Sequence, residues 1–149
     1  MDLAKAFDTV DHDILLHKLG FSIKGLPLSL LKNYFKTHSY YVAINDSRSE
    51  MTKFTCVPQG STLGPLLFLL YVSHLPLVSN FKTILFPDDT VLSLLVNSMH
   101  ELTTKINQEH ESVDNWLKYN KFSLNYCKTH YMLFTKQDEY IDTKFQCLN

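Results

Sequence analysis

The chain has 149 residues, 45% of them hydrophobic, with ten Phe and eight Tyr, and its 14 basic and 15 acidic residues give a net charge of −1. This length and composition indicate one folded domain, residues 1–149, with a sizeable core, and they exclude a compositionally disordered chain. The near-neutral charge excludes a strongly basic free-standing nucleic-acid binder. Any nucleic-acid binding must therefore use a local basic patch or depend on other segments.

The first two helices are predicted from apolar residues that recur at helical spacing. Residues 11–19 form a short amphipathic pattern, and Asp11 is suitably placed to cap its N-terminus. Residues 26–37 form a second pattern, whose expected buried stripe is Leu30, Leu31, Tyr34 and Phe35.

Strands and a buried helix follow along the chain. Residues 40–44 and 51–57 are expected to pair across an Asn-Asp-Ser turn at 45–47, and 58–64 is expected to be a loop. The strongly apolar segment 66–75 predicts a buried helix. The whole apolar stretch, residues 63–78, contains Gly and Pro and is shorter than a bilayer span, so a membrane helix is not expected.

Two adjacent carboxylates stand in the next segment, Phe86-Pro87-Asp88-Asp89-Thr90, between the apolar runs 81–86 and 91–96. This pattern predicts a β-hairpin with acid at its tip. Two like charges there are costly unless a cation neutralises them, which fits a divalent-metal site for phosphoryl or nucleotidyl transfer. Because Asp is also an ordinary turn residue, the same residues fit a simple turn.

The remaining third of the chain is predicted to begin with a long helix. Residues 99–119 form a long amphipathic helix, 120–125 a loop, and 131–134 a final strand. The expected buried stripe of the long helix comprises Leu102, Ile106, Val113, Trp116 and Leu117.

Cysteine usage and the first residues suit an intracellular protein, in the nucleus or the cytoplasm. Cys56, Cys127 and Cys147 are widely spaced and form no Cys-x-x-Cys pair, which argues against a zinc site or a disulfide framework. The chain opens on charged residues without an apolar signal core, and we expect no membrane partner.

Three further segments accompany the Asp-Asp hairpin. They read Asp-Leu-Ala-Lys-Ala-Phe-Asp-Thr-Val-Asp-His at 2–12 and Val-Pro-Gln-Gly-Ser-Thr-Leu-Gly-Pro-Leu-Leu-Phe at 57–68. The third is Trp-Leu at 116–117 followed by Asn-Lys-Phe-Ser-Leu-Asn at 120–125 and Lys-Thr at 128–129. Together and in this order, they closely resemble the palm of reverse transcriptases of non-LTR (LINE-type) retrotransposons, over roughly residues 2–135. The resemblance implies an α/β (α+β) fold, a palm-like antiparallel sheet packed on helices.

The resemblance also implies a role for each motif. Asp2, Asp88 and Asp89 would hold two Mg²⁺ or Mn²⁺ ions, which activate the primer 3′-hydroxyl and neutralise the incoming triphosphate. Hard oxygen ligands suit these ions. The substrates implied are an RNA or DNA template–primer and deoxynucleoside triphosphates.

Four further residues take roles around these substrates. Phe7 matches the steric gate that selects deoxynucleotides, and Gln59 and Gly60 match the loop against the nascent base pair. Lys128 matches the lysine near the phosphates, a catalytic acid for pyrophosphate.

Each of these roles has a structural alternative. Phe7 also fits a core aromatic residue, and the Gln59-Gly60 pair fits a polar turn that enters a helix. Lys128 also fits a solvated loop lysine. Asp8 and Asp11 are expected to be structural, as a local hydrogen-bond partner and a helix cap.

The chain departs from the family pattern at several positions. Cys56 replaces the usual Gly, Ser73 and His74 replace Asn-Asp, His38 replaces Arg, and Pro87 replaces Ala beside the acidic pair. Proline fixes φ near −65° and removes a backbone donor, which would misdirect the aspartates if the turn needs another φ. Such changes suggest drift in a copy that is no longer selected for polymerisation.

We expect a palm fragment that lacks most of the fingers and thumb, because the strand expected before Asp2 is missing and the chain stops before the expected thumb. We expect it to be inactive as an isolated chain. The alternative is a catalytically dead, transposon-derived remnant that acts at most as a binding module and self-associates through exposed palm surface. An unrelated Mg²⁺ phosphotransferase on the same hairpin is a third interpretation.

Overall fold

Helices and short antiparallel strands build the protein in the computed structural model, which describes residues 1–53, 56–57, 60–86 and 89–135. The expected α+β class is confirmed. Pro58, Gln59, Pro87, Asp88 and Cys147, which the sequence analysis discussed, lie outside the described residues. No helix in the described part of the chain is long and apolar enough to cross a membrane.

The first helix, α1, spans His12–Ser22 and begins where the sequence predicts. The Asp11 carboxylate accepts hydrogen bonds from the backbone N–H groups of Asp13 (2.9 Å) and Ile14 (3.0 Å), so the predicted cap is confirmed. The helix continues three residues beyond the predicted end. Leu15 and Leu19 are its buried residues.

The second helix, α2, spans Leu26–Thr37, as predicted, but its buried stripe is narrower than expected. Phe35 is buried, and Leu31 and Tyr34 are half-buried. The prediction was wrong for Leu30, which is 60% exposed. The residues of α2 that pack on the core are Leu28, Leu31, Tyr34 and Phe35, at spacings of three and four, and Leu30 lies off this side.

The predicted pairing of residues 40–44 with 51–57 is confirmed at Tyr40, which opposes Thr52, but residues 43–44 pair with 47–48 instead. Strand β1 (Ser39–Tyr40) pairs with β4 (Thr52–Lys53), and β2 (Ala43–Ile44) pairs with β3 (Ser47–Arg48), both antiparallel. Between the ladders, a side chain replaces a backbone acceptor, since the Val42 N–H donates to Ser49 Oγ at 2.9 Å. Almost every residue of this hairpin is exposed, so no buried face enforces a long regular ladder.

Helix α3 spans Gly64–Val72 and ends earlier than the predicted segment 66–75. A 3₁₀ turn, Leu75–Leu77, follows it. Pro76 contributes to the early end, because it lacks the N–H group that would donate to the Val72 carbonyl in a continued α-helix. Four side chains of α3 are buried at the centre of the molecule: Leu67, Phe68, Tyr71 and Val72.

The acidic hairpin and the long helix follow the predictions. Strand β5 (Lys82–Leu85) pairs antiparallel with β6 (Thr90–Ser93), and Leu85 opposes Thr90 beside the tip. Helix α4 spans Met99–Tyr119, with the Ser98 side chain as its N-cap. Leu102, Val113, Trp116 and Leu117 are buried and Ile106 is half-buried, which confirms the predicted stripe.

The final strand predicted at 131–134 was wrong, because these described residues form no strand. Met132 and Phe134 are 77% and 86% exposed. Strand-forming side chains do not fix a strand unless they bury a face or pair with an edge. The pairing in this region lies earlier in the chain, where Leu124 forms an antiparallel bridge with Leu3.

Candidate active site

The first residues of the chain lie beside strand β6. The Met1 ammonium donates to the Thr90 carbonyl oxygen at 2.8 Å, and the Thr90 N–H donates to the Met1 carbonyl oxygen at 3.2 Å. Two residues that exchange both bonds form a hydrogen-bonded antiparallel pair. The next opposed position pairs Asp2 with Asp89, and opposed Cβ atoms in a regular ladder lie about 5 Å apart. The structure therefore brings two of the predicted acids together from opposite parts of the sequence.

Both carboxylates are available to an external cation. Asp2 is half-buried and Asp89 is exposed. The ion pairs found among the described residues involve other acids, namely Glu101, Asp114 and Asp11. Carboxylate oxygens at adjacent positions are the donor type that Mg²⁺ and Mn²⁺ prefer, so these residues fit such an ion.

The third predicted ligand, Asp88, lies outside the described residues. Within the described part of the chain, no three His, Cys, Asp or Glu side chains group closely enough to hold a metal ion. The metal site of Asp2, Asp88 and Asp89 therefore stays a prediction.

On its other side, the opening segment pairs with the chain that follows α4. The Ala4 N–H donates to the Ser123 carbonyl at 2.9 Å, and the Asn125 N–H donates to the Asp2 carbonyl at 3.0 Å. The Asp2 N–H donates to Thr129 Oγ1 at 3.2 Å. The opening segment, residues 1–4, therefore lies between Thr90 of β6, which pairs with Met1, and residues 123–129. This arrangement places the turn that contains Lys128 next to Asp2.

Lys128 itself is exposed on that turn. Its backbone N–H donates to the Asn125 carbonyl at 3.2 Å, and the Thr129 N–H donates to the same oxygen at 2.9 Å. The backbone at Lys128 is thus fixed beside the acids, while its ammonium is in solvent. Its role as a catalytic acid stays a prediction.

Phe7 is half-buried and packs against the core. Its ring lies 5.0 Å from that of Phe68 between centroids, and its carbonyl accepts from the Val57 N–H at 3.3 Å. The steric-gate role of Phe7 stays a prediction. Val57 leads towards Gly60, which is exposed in a turn with φ of 81°. Gln59 lies outside the described residues.

A polar cluster that the sequence analysis missed holds the turn after α4. Lys18 Nζ, on α1, donates to Asn120 Oδ1 (2.6 Å) and to the Tyr71 carbonyl (2.5 Å), and it lies over the rings of Tyr71 and Trp116. Burial lowers the pKa of Lys18 to about 8. The available signal was a lysine adjacent to the buried residue Leu19 on an otherwise apolar helix face.

A second link between α1 and this turn is an ion pair. Lys121 Nζ lies 2.5 Å from Asp11 Oδ2. The hydrogen bond from Lys121, together with backbone donors, holds the pKa of the Asp11 carboxyl below its usual value. The structural role expected for Asp11 is therefore confirmed, because it caps α1 and anchors the turn that leads to residues 122–129.

A shallow recess adjoins the two acids. Its lining is mostly apolar and combines the opening segment, α3 and the hairpin: Met1, Leu3, Ala6, Phe68, Phe86, Asp89 and Thr90. The recess shows that the opening motif and the acidic hairpin share one surface.

Comparison with known proteins identifies the family. The family model described as reverse transcriptase (RNA-dependent DNA polymerase) matches residues 1–146. The chain belongs to the reverse transcriptase family. This match confirms the resemblance found in the sequence, and it extends over nearly the whole chain.

Relatives of this reverse transcriptase chain are transposon proteins of Drosophila melanogaster. The probable RNA-directed DNA polymerases from transposon X-element and from transposon BS are each 28% identical to it and cover 91% of the chain. The RNA-directed DNA polymerase from mobile element jockey is 30% identical over 51% of the chain. The chain spans 16% of the length of the X-element and BS proteins.

Proposed function

We propose that this chain carries the metal-binding palm of a non-LTR retrotransposon reverse transcriptase. The longer protein would copy an RNA template into DNA from deoxynucleoside triphosphates. The observation that carries this proposal is the pair of reciprocal hydrogen bonds between Met1 and Thr90, which sets Asp2 beside Asp89. Two acids from distant motifs converge on one surface, as nucleotidyl transfer requires.

The proposed ligands are Asp2, Asp88 and Asp89, which would hold Mg²⁺ or Mn²⁺. When bound, two such ions favour deprotonation of the primer 3′-hydroxyl and neutralise the triphosphate. The pairing of Met1 with Thr90, and of residues 2–4 with 123–125, would orient Asp2 beside Asp89.

The substrate contacts are proposed from the motifs around this site. Phe7 would exclude a ribose 2′-hydroxyl, and Gln59 and Gly60 would lie against the nascent base pair. Lys128 would protonate the pyrophosphate leaving group. The packing of Phe7 on Phe68 in the recess beside Asp89 supports the first role, and the hydrogen bond between Asp2 and Thr129, the neighbour of Lys128, supports the last.

We also propose that the isolated 149-residue chain does not extend a primer. Holding a template–primer duplex depends on cations that neutralise several phosphates, and this chain has a net charge of −1. Pro87 adds a second reason, because its fixed φ restricts the turn that carries the acids.

Calorimetric titration with Mg²⁺ and Mn²⁺ tests the metal site. We expect binding by the wild type, weakened roughly tenfold or more in Asp2→Asn and Asp89→Asn, since each change removes a negatively charged oxygen donor. Asp13→Asn is the matched control, because Asp13 is an exposed aspartate on α1. Equal affinity in all three variants, or no binding by the wild type, would overturn the proposed site.

A primer-extension assay tests the inactivity of the isolated chain. With Mn²⁺, an RNA template and an annealed DNA primer, we expect no extension product. A product that disappears in Asp89→Asn would refute the inactivity and would support the metal site at the same time.

A non-catalytic interaction module is the second candidate function. Leu63, Leu66 and Leu70 are 41%, 52% and 36% exposed, and their spacing of three and four residues places them on one side of α3. A second copy of the chain would cover this apolar side. We expect light scattering to show a mass that rises with concentration and that Leu66→Lys abolishes the rise. The control is Leu95→Lys, since Leu95 is 95% exposed. A monomer at high concentration would contradict this function.

A further inference from the structure

The backbone of Asp2 departs from regular strand pairing at one bond. Leu3 opposes Leu124, so a regular antiparallel ladder would have Asp2 and Asn125 exchange two backbone hydrogen bonds. The Asn125 N–H does donate to the Asp2 carbonyl, at 3.0 Å. The Asp2 N–H instead donates to the side-chain oxygen of Thr129, at 3.2 Å.

The turn that follows Asn125 explains why a side-chain oxygen replaces the backbone acceptor. The Asn125 carbonyl accepts hydrogen bonds from the backbone N–H groups of both Lys128 (3.2 Å) and Thr129 (2.9 Å). This turn directs the chain away from the ladder and occupies the carbonyl that Asp2 would otherwise use. The Thr129 hydroxyl therefore takes the place of a strand carbonyl.

We infer that Thr129 is a positioning residue for the Asp2 carboxylate, an inference that rests on the proposed metal site. Both backbone polar groups of Asp2 are held by the 125–129 turn, and the preceding residue is held by Thr90. The backbone of Asp2 is thereby fixed, and in a regular ladder its side chain leaves on the same face as that of the opposed residue, Asp89. Threonine suits this role because its β-branched side chain has few χ1 rotamers.

The hydrogen bond between Asp2 and Thr129 joins the part of the site proposed to bind metal to the part proposed to protonate pyrophosphate. Asp2 is a proposed metal ligand, and Lys128 adjoins Thr129 in the turn. A shift of the turn would therefore move the metal ligand and the proposed acid together. The Thr129 hydroxyl sets the spacing between them.

Two variants separate the hydroxyl from the size of the side chain. Thr129→Val keeps the shape and removes the acceptor, whereas Thr129→Ser keeps the hydroxyl. Binding of Mn²⁺ is followed by the electron paramagnetic resonance signal of the free ion. We expect Thr129→Val to weaken Mn²⁺ binding by roughly tenfold, the usual size of effect for residues that orient a metal ligand, and Thr129→Ser to stay near the wild type.

Thr103→Val is the matched control, because Thr103 is exposed on α4 and its hydroxyl donates to the Met99 carbonyl of its own helix. Thermal unfolding monitors the fold of each variant. Should Thr129→Val fold poorly, Thr129→Cys, which keeps the approximate size but accepts hydrogen bonds weakly, replaces it.

The outcomes distinguish this inference from the proposed function. Wild-type affinity in Thr129→Val, alongside weakened binding in Asp2→Asn, would overturn the positioning role and leave the metal site standing. Weakening in Thr129→Ser equal to that in Thr129→Val would also overturn it. Absence of Mn²⁺ binding by the wild type would overturn both. Faster amide exchange at Asp2 in Thr129→Val, but not in Thr129→Ser, would support the hydrogen bond directly.

Discussion

Phe122 anchors the segment that pairs with Asp2, and removal of its side chain should markedly lower the free energy of unfolding. The side chain is 4% exposed. Its ring packs against the rings of Phe68, Tyr71 and Trp116, with centroids 6.0, 5.3 and 6.3 Å away. Truncation of a buried Phe to Ala typically costs about 3 to 5 kcal/mol, from lost transfer free energy and the cavity left behind. We expect Phe122→Ala to fall in that range.

This cost is large compared with the total stability of a small domain, about 5 to 15 kcal/mol. Urea unfolding followed by tryptophan fluorescence measures it, because Trp116 is the only tryptophan and contacts Phe122. We expect a lower urea midpoint with an unchanged slope. Phe122→Leu should lose less, since it fills most of the cavity.

Phe21→Ala is the matched control, because the Phe21 side chain is 72% exposed on α1. Its unfolding free energy should change by no more than about 0.5 kcal/mol. If Phe122→Ala proved no more destabilising than Phe21→Ala, the aromatic cluster would not hold the 122–129 segment, and the argument for the site would fail at that step.

Three further substitutions test the local contacts around the site. Asp11→Ala should lower the free energy of unfolding by about 1 kcal/mol at neutral pH through loss of the helix cap. Because Lys121 lowers the Asp11 pKa below 3.8, the difference in urea midpoint between this variant and the wild type should shrink as pH falls below that value. A difference that stays constant with pH would contradict this. Lys18 has a pKa of about 8 in the folded state and 10.5 when unfolded, so the unfolded chain binds more protons between these values and stability rises with pH. The urea midpoint of the wild type should therefore be higher at pH 9.5 than at pH 7.5, whereas that of Lys18→Met should not rise. Both pH values lie below the Tyr71 pKa of about 12, so Tyr71 stays protonated. An equal rise in both proteins would refute this. Gly60→Ala should lower the free energy of unfolding by about 1 kcal/mol, because a φ of 81° strains a residue with a Cβ atom. Thermal unfolding measures this, and an unchanged melting temperature would contradict it.

The sequence predicts local elements well where one apolar face is buried. The bounds of α2 and α4 match, and Asp11 caps α1 as its position suggests. The hairpin around the acids also follows from two apolar runs separated by turn residues. These features depend on interactions within a few residues, which a single sequence displays directly.

Features set by distant partners are less visible in the sequence. The apolar residues near 131–134 have strand propensity, yet the pairing edge is used by Leu124. Leu30 has the spacing of a buried residue but lies away from α1. The roles of Lys18 and Thr129 depend on contacts with Asn120 and Asp2, more than 100 residues away in the chain.

We propose that the opening motif, the acidic hairpin and the 125–129 turn surround one metal site. Fe²⁺ placed in that site, with ascorbate and peroxide, generates hydroxyl radicals that cut the nearby backbone, and mass spectrometry locates the cuts. We expect cuts near Asp2, near Asp89 and within 125–129, all suppressed by excess Mg²⁺. Cuts confined to the hairpin, or cuts that Mg²⁺ does not suppress, would contradict the account.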